Sequence, residues 1–157
     1  MESLDRHIVT LLAREGRMSF ADLGRKVGLS TSAVHQRVKR LEDRGIIAGY
    51  RAEINHTAVG LPLTALISVV PFDPSAPDDI PERLTGVPQI VSCWSVAGDE
   101  NYVLLIRVQR PQELEELLAT IRAKGQCSTH TTVVLSTPWE GRAAMVPVDP
   151  PTVTPGS

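Results

Sequence analysis

The stretch Leu29–Gly45, LSTSAVHQRVKRLEDRG, limits what this chain can fold into more than any other. Ser30 is a favourable N-cap and Gly45 a favourable residue just beyond a helix C-terminus, so both ends of a helix are written in. At about 100° per residue, Val34, Val38 and Leu41 fall on one narrow stripe that belongs against a core. Thr31, Ser32, His35, Gln36 and Lys39 fall on the opposite side, with Arg37 and Arg40 flanking them. Taken alone, this is a solvated amphipathic helix with a charged face. Hydroxyl, imidazole, amide and cationic groups in a row also match base edges and phosphates.

The preceding residues choose between those readings. Leu4, Ile8, Leu11 and Leu12 recur at helical spacing in LDRHIVTLLARE, and Gly16 ends that helix. Ser19 caps a short second helix, FADLGRKVG, with Asp22 three positions on as a short-armed capping box. Gly28 closes it, Leu29 plugs the turn, and Ser30 opens the third helix. Two helices joined by a tight Gly-containing turn form a helix-turn-helix, whose second member enters the major groove. The candidate DNA contacts are therefore Ser19, Ser30, Thr31, Ser32, His35, Gln36, Arg37, Lys39 and Arg40, with Arg37 and Arg40 reaching the two phosphate backbones.

Charge is distributed to match. The chain carries a formal −2 overall, yet residues 1–56 hold ten Lys/Arg against seven Asp/Glu, and residues 57–157 hold six against eleven. A basic head on an acidic body fits an anion-binding module attached to something differently employed. No apolar run approaches the roughly 20 residues of a membrane span, and the polar start is unlike a signal peptide, so a cytoplasmic, nucleoid-associated protein is expected. Cys93 and Cys127, each inside an apolar run, are expected to be core thiols rather than a disulfide.

The fold class expected is α+β. A winged helix-turn-helix occupies residues 1–47, and a hinge strand or linker covers 48–62. The body over 63–141 reads strand, helix, strand, strand, helix, strand. Leu63–Phe72 is an almost continuous apolar run, expected to be a strand buried on both faces. A short helix over Asp78–Leu84 follows, then a hairpin of Gln89–Ala97 and Tyr102–Gln109 around Gly98-Asp99-Glu100-Asn101. Pro111 starts a helix whose buried face is Leu114, Leu117, Leu118 and Ile121, Gly125 terminates it, and Thr129–Ser136 is the last strand. The order βαββαβ is the ferredoxin-like unit, with both helices on one face of an antiparallel sheet. Its other face is too apolar to leave in water, so self-association is expected. Trp139 is expected to pack on the body or on a neighbouring subunit. The Pro-rich tail, 142–157, shows no helix or strand pattern.

These residues resemble the Lrp/AsnC family of transcription regulators over about residues 3–140. The resemblance is carried by Leu4-Asp5, by GLSTSAVHQRVKRLEDRGIIAGYRAEIN, and by VPQIVSCWSVAGDENYVLLIRV. It implies a regulator of amino-acid metabolism whose RAM-type body dimerises through its sheet, assembles further into tetramers or octamers, and binds a free amino acid between dimers. Carried over position by position, the effector contacts would be Ala97, Gly98, Asp99, Glu100, Asn101 and Tyr102, with Ser128, Thr129, Thr131 and Thr132 opposite. Backbone N–H groups of a glycine-containing loop suit a carboxylate, and Asp99 or Glu100 suits an ammonium. Many relatives carry Gly-Asp-Tyr-Asp where this chain has Gly-Asp-Glu-Asn-Tyr.

No catalytic constellation, metal site or cofactor is expected. His7, His35, His56 and His130 lie on different elements without ligand spacing, and no phosphate-cradling glycine loop or Gly-x-Ser-x-Gly is present. Three readings stay open: an effector-responsive regulator of transcription, an architectural DNA-binding protein without effector, and an amino-acid-sensing regulatory subunit.

Overall fold

The computed structural model describes residues 1–143. The chain divides into two compact units, Met1–Glu53 together with the segment that starts at Trp139, and Ile54–Pro138. The Pro-rich stretch from residue 144 on lies outside the described residues. Trp139 thus groups with the first unit, where the Arg142 guanidinium stands 4.5 Å over its ring.

The first unit is built from α1 (Ser3–Arg14), α2 (Phe20–Val27) and α3 (Thr31–Asp43). Their apolar stripes meet in one core of Ile8, Leu12, Leu23, Val34, Val38 and Leu41. Ile8, Leu23 and Val34 are fully buried, and each such aliphatic side chain contributes about 1.5–3 kcal/mol on burial. Met18, Val27, Leu29 and Ile47 close the margins of that core. Gly28 ends α2 in the left-handed conformation at φ 72°. Leu29 then donates its N–H to the Gly24 carbonyl at 2.9 Å. That approach is close enough that a Cβ on Gly24 would lie 2.5 Å from the Leu29 carbonyl oxygen. Gly24 looks like an ordinary helix position in the sequence, so its role is visible only once α2 and the following turn are folded together.

Residues 48–54 pair with no strand among the described residues, contrary to the expected hinge strand and wing. An alternating segment becomes a strand only when a neighbour offers a ladder, and within one chain no neighbour does.

The second unit has β1 (Leu63–Pro71), α4 (Ile80–Leu84), β2 (Ile90–Ser95), β3 (Tyr102–Val108), α5 (Pro111–Gly125) and β4 (Cys127–Val134). The strands form one antiparallel sheet in the order β2-β3-β1-β4, the ferredoxin-like arrangement. Ala65, Ile67 and Val69 of β1 and Tyr102, Leu104, Ile106 and Val108 of β3 point to the helices. There they meet Ile80 and Leu84 of α4 and Leu114, Leu117 and Ile121 of α5.

β1 is not buried on both faces within one chain. Its burial alternates, and Thr64, Leu66, Ser68 and Val70 are half-buried on the side away from the helices. Their register partners Val103, Leu105 and Arg107 of β3 share that side. Trp94 of β2, which pairs with Val103, is 47% exposed on it.

Two further expectations change. Gly125 is the last helical residue of α5, but the left-handed turn beyond it is taken by Gln126 at φ 50°, and a Cβ on the buried Gly125 would meet Cys127 Sγ at 2.8 Å. Both cysteines are free, but only Cys127 is a core thiol, whereas Cys93 is exposed because β2 is an edge strand. Burial pushes the Cys127 thiol pKa up.

Gly24→Ala tests the packing of the α2–α3 turn. A helical alanine gains up to about 1 kcal/mol in propensity, but overpacking against backbone costs roughly 1–3 kcal/mol. A net loss in denaturant stability is expected, and an unchanged or higher midpoint would contradict the close approach.

Candidate nucleic-acid interface and effector loop

The starts of α2 and α3 are fixed by side-chain caps. The Ser19 hydroxyl accepts the Asp22 N–H at 3.1 Å and donates to Asp22 Oδ2 at 2.6 Å. That bond, followed by the one from Arg25, holds the Asp22 carboxyl below the ordinary carboxylate pKa. The Ser30 hydroxyl accepts the Ala33 N–H at 3.3 Å and lies 3.3 Å from the Ser32 hydroxyl. From this start, Thr31, Ser32, His35, Gln36, Lys39 and Arg40 are all exposed, and their spacing puts them on one half of the helix. The His35 ring packs tilted on Phe20, with centroids 5.1 Å apart, so the start of α2 borders the exposed side of α3. A shallow groove runs along α3 between Leu29, Ala33, Gln36 and Arg40.

Arg37 does not belong with that row. Its Nη1 donates at 2.8 Å to Asp5 Oδ1 and at 2.8 Å to Glu2 Oε2, both at the start of α1. The bonds to Glu2 and to Asp5 raise the guanidinium pKa above its ordinary value. Asp5 is the buried charged residue of the head core, 6% exposed. Arg37 thus ties α3 to α1. No local signal announces a partner 32 residues away, although Asp5 is part of the Leu4-Asp5 pair on which the family resemblance was drawn.

In the body, Ala97, Gly98, Asp99 and Asn101 are exposed at the tip of the β2–β3 hairpin, with Glu100 half-buried. The loop base is pinned twice. Val96 N–H donates to the Asn101 carbonyl at 3.1 Å, and Asn101 N–H donates to the Val69 carbonyl at 3.0 Å. Ser128 and Thr129 pair with Val70 and Val69, so the start of β4 lies at the same end of the sheet, across β1 from the loop.

The ten expected effector residues do not share one surface. Tyr102 points into the core, 5% exposed, and its hydroxyl donates to Asp78 Oδ1 at 2.5 Å. That bond, reinforced by burial, pushes its pKa up to about 12. On β4, Ser128 and Thr132 pair with the half-buried Val70 and Leu66 and face away from the helices. Thr129 and Thr131 pair with the buried Val69 and Ile67 and face the helices, where Arg122 Nη1 reaches the Thr129 hydroxyl at 3.4 Å. Strand alternation divides the four β4 residues, and a position-by-position carry-over does not reveal this.

Among the described residues no group of three or more His, Cys, Asp or Glu is placed to hold a metal ion. No helix among them is long and apolar enough to cross a membrane.

A capped, exposed helix in a three-helix head and a ferredoxin-like body with an open sheet face define a two-domain regulator of transcription. Residues 1–42 match the AsnC-type helix-turn-helix domain, and residues 64–144 match the Lrp/AsnC ligand binding domain. The chain is 46% identical over 142 residues to the HTH-type transcriptional regulator LrpA of Mycobacterium tuberculosis, covering 90% of this chain and 95% of that one. It is 35% identical to the leucine-responsive regulatory protein of Haemophilus influenzae, over 86% of this chain and 84% of that one. Among solved structures, a feast or famine regulatory protein from M. tuberculosis complexed with L-methionine superposes with a TM-score of 0.90 at 45% identity, covering 92% of this chain and 99% of that one. The protein belongs to the Lrp/AsnC family of transcriptional regulators.

Two predictions follow from these contacts. Arg37→Ala leaves the buried Asp5 carboxylate without its guanidinium, and a stability loss of about 1–3 kcal/mol is expected, since partial exposure of Arg37 moderates the cost. The salt slope of DNA binding should stay as it was, and a flattened slope with unchanged stability would restore Arg37 to the phosphate contacts. For Tyr102, a Tyr50→Phe chain leaves one tyrosine to follow by phenolate absorbance. Its folded pKa lies above the ordinary 10.0. The stability it contributes is therefore complete below pH 10 and lost as pH rises toward about 12. A native titration at the ordinary tyrosine value would contradict the buried Asp78 bond.

Proposed function

We propose that the protein is a sequence-specific transcription regulator of amino-acid metabolism that reads duplex DNA with α3 and responds to a free amino acid bound by its body. It works on the bacterial nucleoid in the cytoplasm and is not an enzyme. The observation that carries the reading is the exposed row Thr31, Ser32, His35, Gln36, Lys39 and Arg40 on a helix capped by Ser30 and backed by an aliphatic core. Gln36 is the residue suited to base edges and Lys39 and Arg40 to phosphates, with Ser19 and Ser30 at helix starts where backbone N–H groups favour anions.

The half-buried sheet face supports a second copy of the chain as its cover, since by register Leu66 stands beside Leu105 and Val103 beside Trp94 on it. A dimer of heads then matches a palindromic site. The effector would sit between dimers, at the end of the sheet where Ala97–Asn101 and Ser128 lie. The loop's backbone N–H groups would take its carboxylate, and Asp99 or Glu100 its ammonium. The methionine complex of a 45%-identical relative supports an amino-acid ligand.

The two halves of the reading are tested separately. Calorimetry against the twenty amino acids is expected to give heat with at least one of them, and silence across the panel would favour an architectural protein without effector. In gel-shift titrations, Gln36→Ala should lose roughly 1–3 kcal/mol on its preferred sites and little on random duplex. Arg40→Ala should weaken binding to every sequence and flatten the salt slope by about 0.9, one phosphate contact. Equal losses on specific and random DNA for Gln36→Ala would overturn its assignment to base readout. Loss of duplex binding in Lys39→Ala plus Arg40→Ala, with the fold intact, is incompatible with a head that serves a regulatory subunit by binding protein.

A further inference from the structure

A second groove in the head shares no residue with the one along α3. Arg14, Gly16 and Arg17, from the end of α1 and the turn after it, form one wall, and Tyr50, Arg51 and Glu53 form the other. Three guanidinium groups against one carboxylate make the lining net positive. All three arginines are exposed, and among the described residues none of them has a side-chain ion pair. Arg25 and Arg37, by contrast, are each satisfied by a carboxylate of the head.

Tyr50 fixes this groove in place. Its ring packs on Gly16, where an added Cβ would come to 3.6 Å from Cδ1, and its hydroxyl donates to Glu42 Oε1 of α3 at 2.9 Å. The segment after α3, which forms no strand, is thereby clamped both to the α1–α2 turn and to the last turn of α3. The phenol is neutral at neutral pH, so it adds no negative charge to the wall. The groove lies close in the chain to the start of α2. Arg17 is two residues from Ser19, the cap of α2, and Phe20 at the start of α2 packs on His35 of α3.

Unpaired guanidinium forks with free solvent access match phosphate oxygens in bidentate geometry. We propose that the groove lined by Arg14, Arg17 and Arg51 is a second phosphate-binding site, taking the DNA backbone that flanks the segment read by α3. Tyr50 is committed to Glu42, so the three arginines are the groups the groove offers to the backbone. The site rests on the reading of α3 as the DNA-facing helix.

The test uses the full chain and a random-sequence duplex, on which binding is set by phosphate contacts alone. Anisotropy titrations at several salt concentrations compare the unaltered chain with Arg14→Ala plus Arg17→Ala plus Arg51→Ala. The triple variant is expected to lower the slope of log K against log salt by roughly 2–3, at about 0.9 per phosphate. Glu53→Gln, which removes the one carboxylate of the lining, should tighten binding to the same duplex and keeps the test open if the triple variant misfolds. An unchanged slope in a folded triple variant, or no gain from Glu53→Gln, would overturn the site while leaving α3 as reader. A change of oligomeric state in the triple variant with the salt slope intact would assign the groove to a second copy and overturn it also. Thermal stabilisation by inorganic phosphate that the triple variant loses, again with the slope intact, would mean a free anion is the ligand instead of DNA. Absence of duplex binding by the unaltered chain would overturn the reading of α3 and this site with it.

Discussion

Everything the head can do depends on how closely α3 is held to α2 and α1. On the α2 side the constraint is steric, for the Leu29 carbonyl lies where a side chain on Gly24 would be. On the α1 side it is electrostatic, through Arg37 between Asp5 and Glu2. The apolar core of Ile8, Leu23, Val34 and Leu41 supplies most of the stabilisation, and its one-sided stripe turns Val34, Val38 and Leu41 inward and leaves Gln36, Lys39 and Arg40 in solvent. The glycine contact and the guanidinium pair add directional constraints on that packing, one toward α2 and one toward α1.

The body follows a different logic. Its helices cover one face of the sheet with a close-packed aliphatic core, and strand alternation then decides which side chains remain on the other face. The same alternation that buries Ile67 and Val69 leaves Leu66 and Val70 half-covered. A surface for self-association is therefore a consequence of the fold rather than an addition to it. The β2–β3 loop and the start of β4 sit at one end of this sheet, with Val69 between them.

What was legible in the sequence is what local chemistry determines. Ser19 and Ser30 as caps, Gly28 at the end of α2, the apolar stripes of the three helices and the βαββαβ order all follow from neighbours within a few residues. What was not legible depends on partners brought together by folding. The tie from Arg37 to Asp5 spans 32 residues, and Tyr102 reads as part of an exposed loop until Asp78 takes its hydroxyl. Thr129 and Thr131 read like Ser128 and Thr132 until the register with β1 separates them. Gly125 reads as the left-handed residue of a helix stop, whereas Gln126 takes that turn and Gly125 is small because Cys127 packs against it. The hinge at 48–54 is the converse case, because its alternation is real but the single chain provides no strand to pair with it.

Hydrogen–deuterium exchange of the full chain, with and without duplex DNA, tests the central claim most directly. The account predicts that peptides covering Ser30–Leu41 gain protection on DNA while those covering α4 and α5 do not. Protection confined to the body, with α3 exchanging as in the free protein, would contradict it.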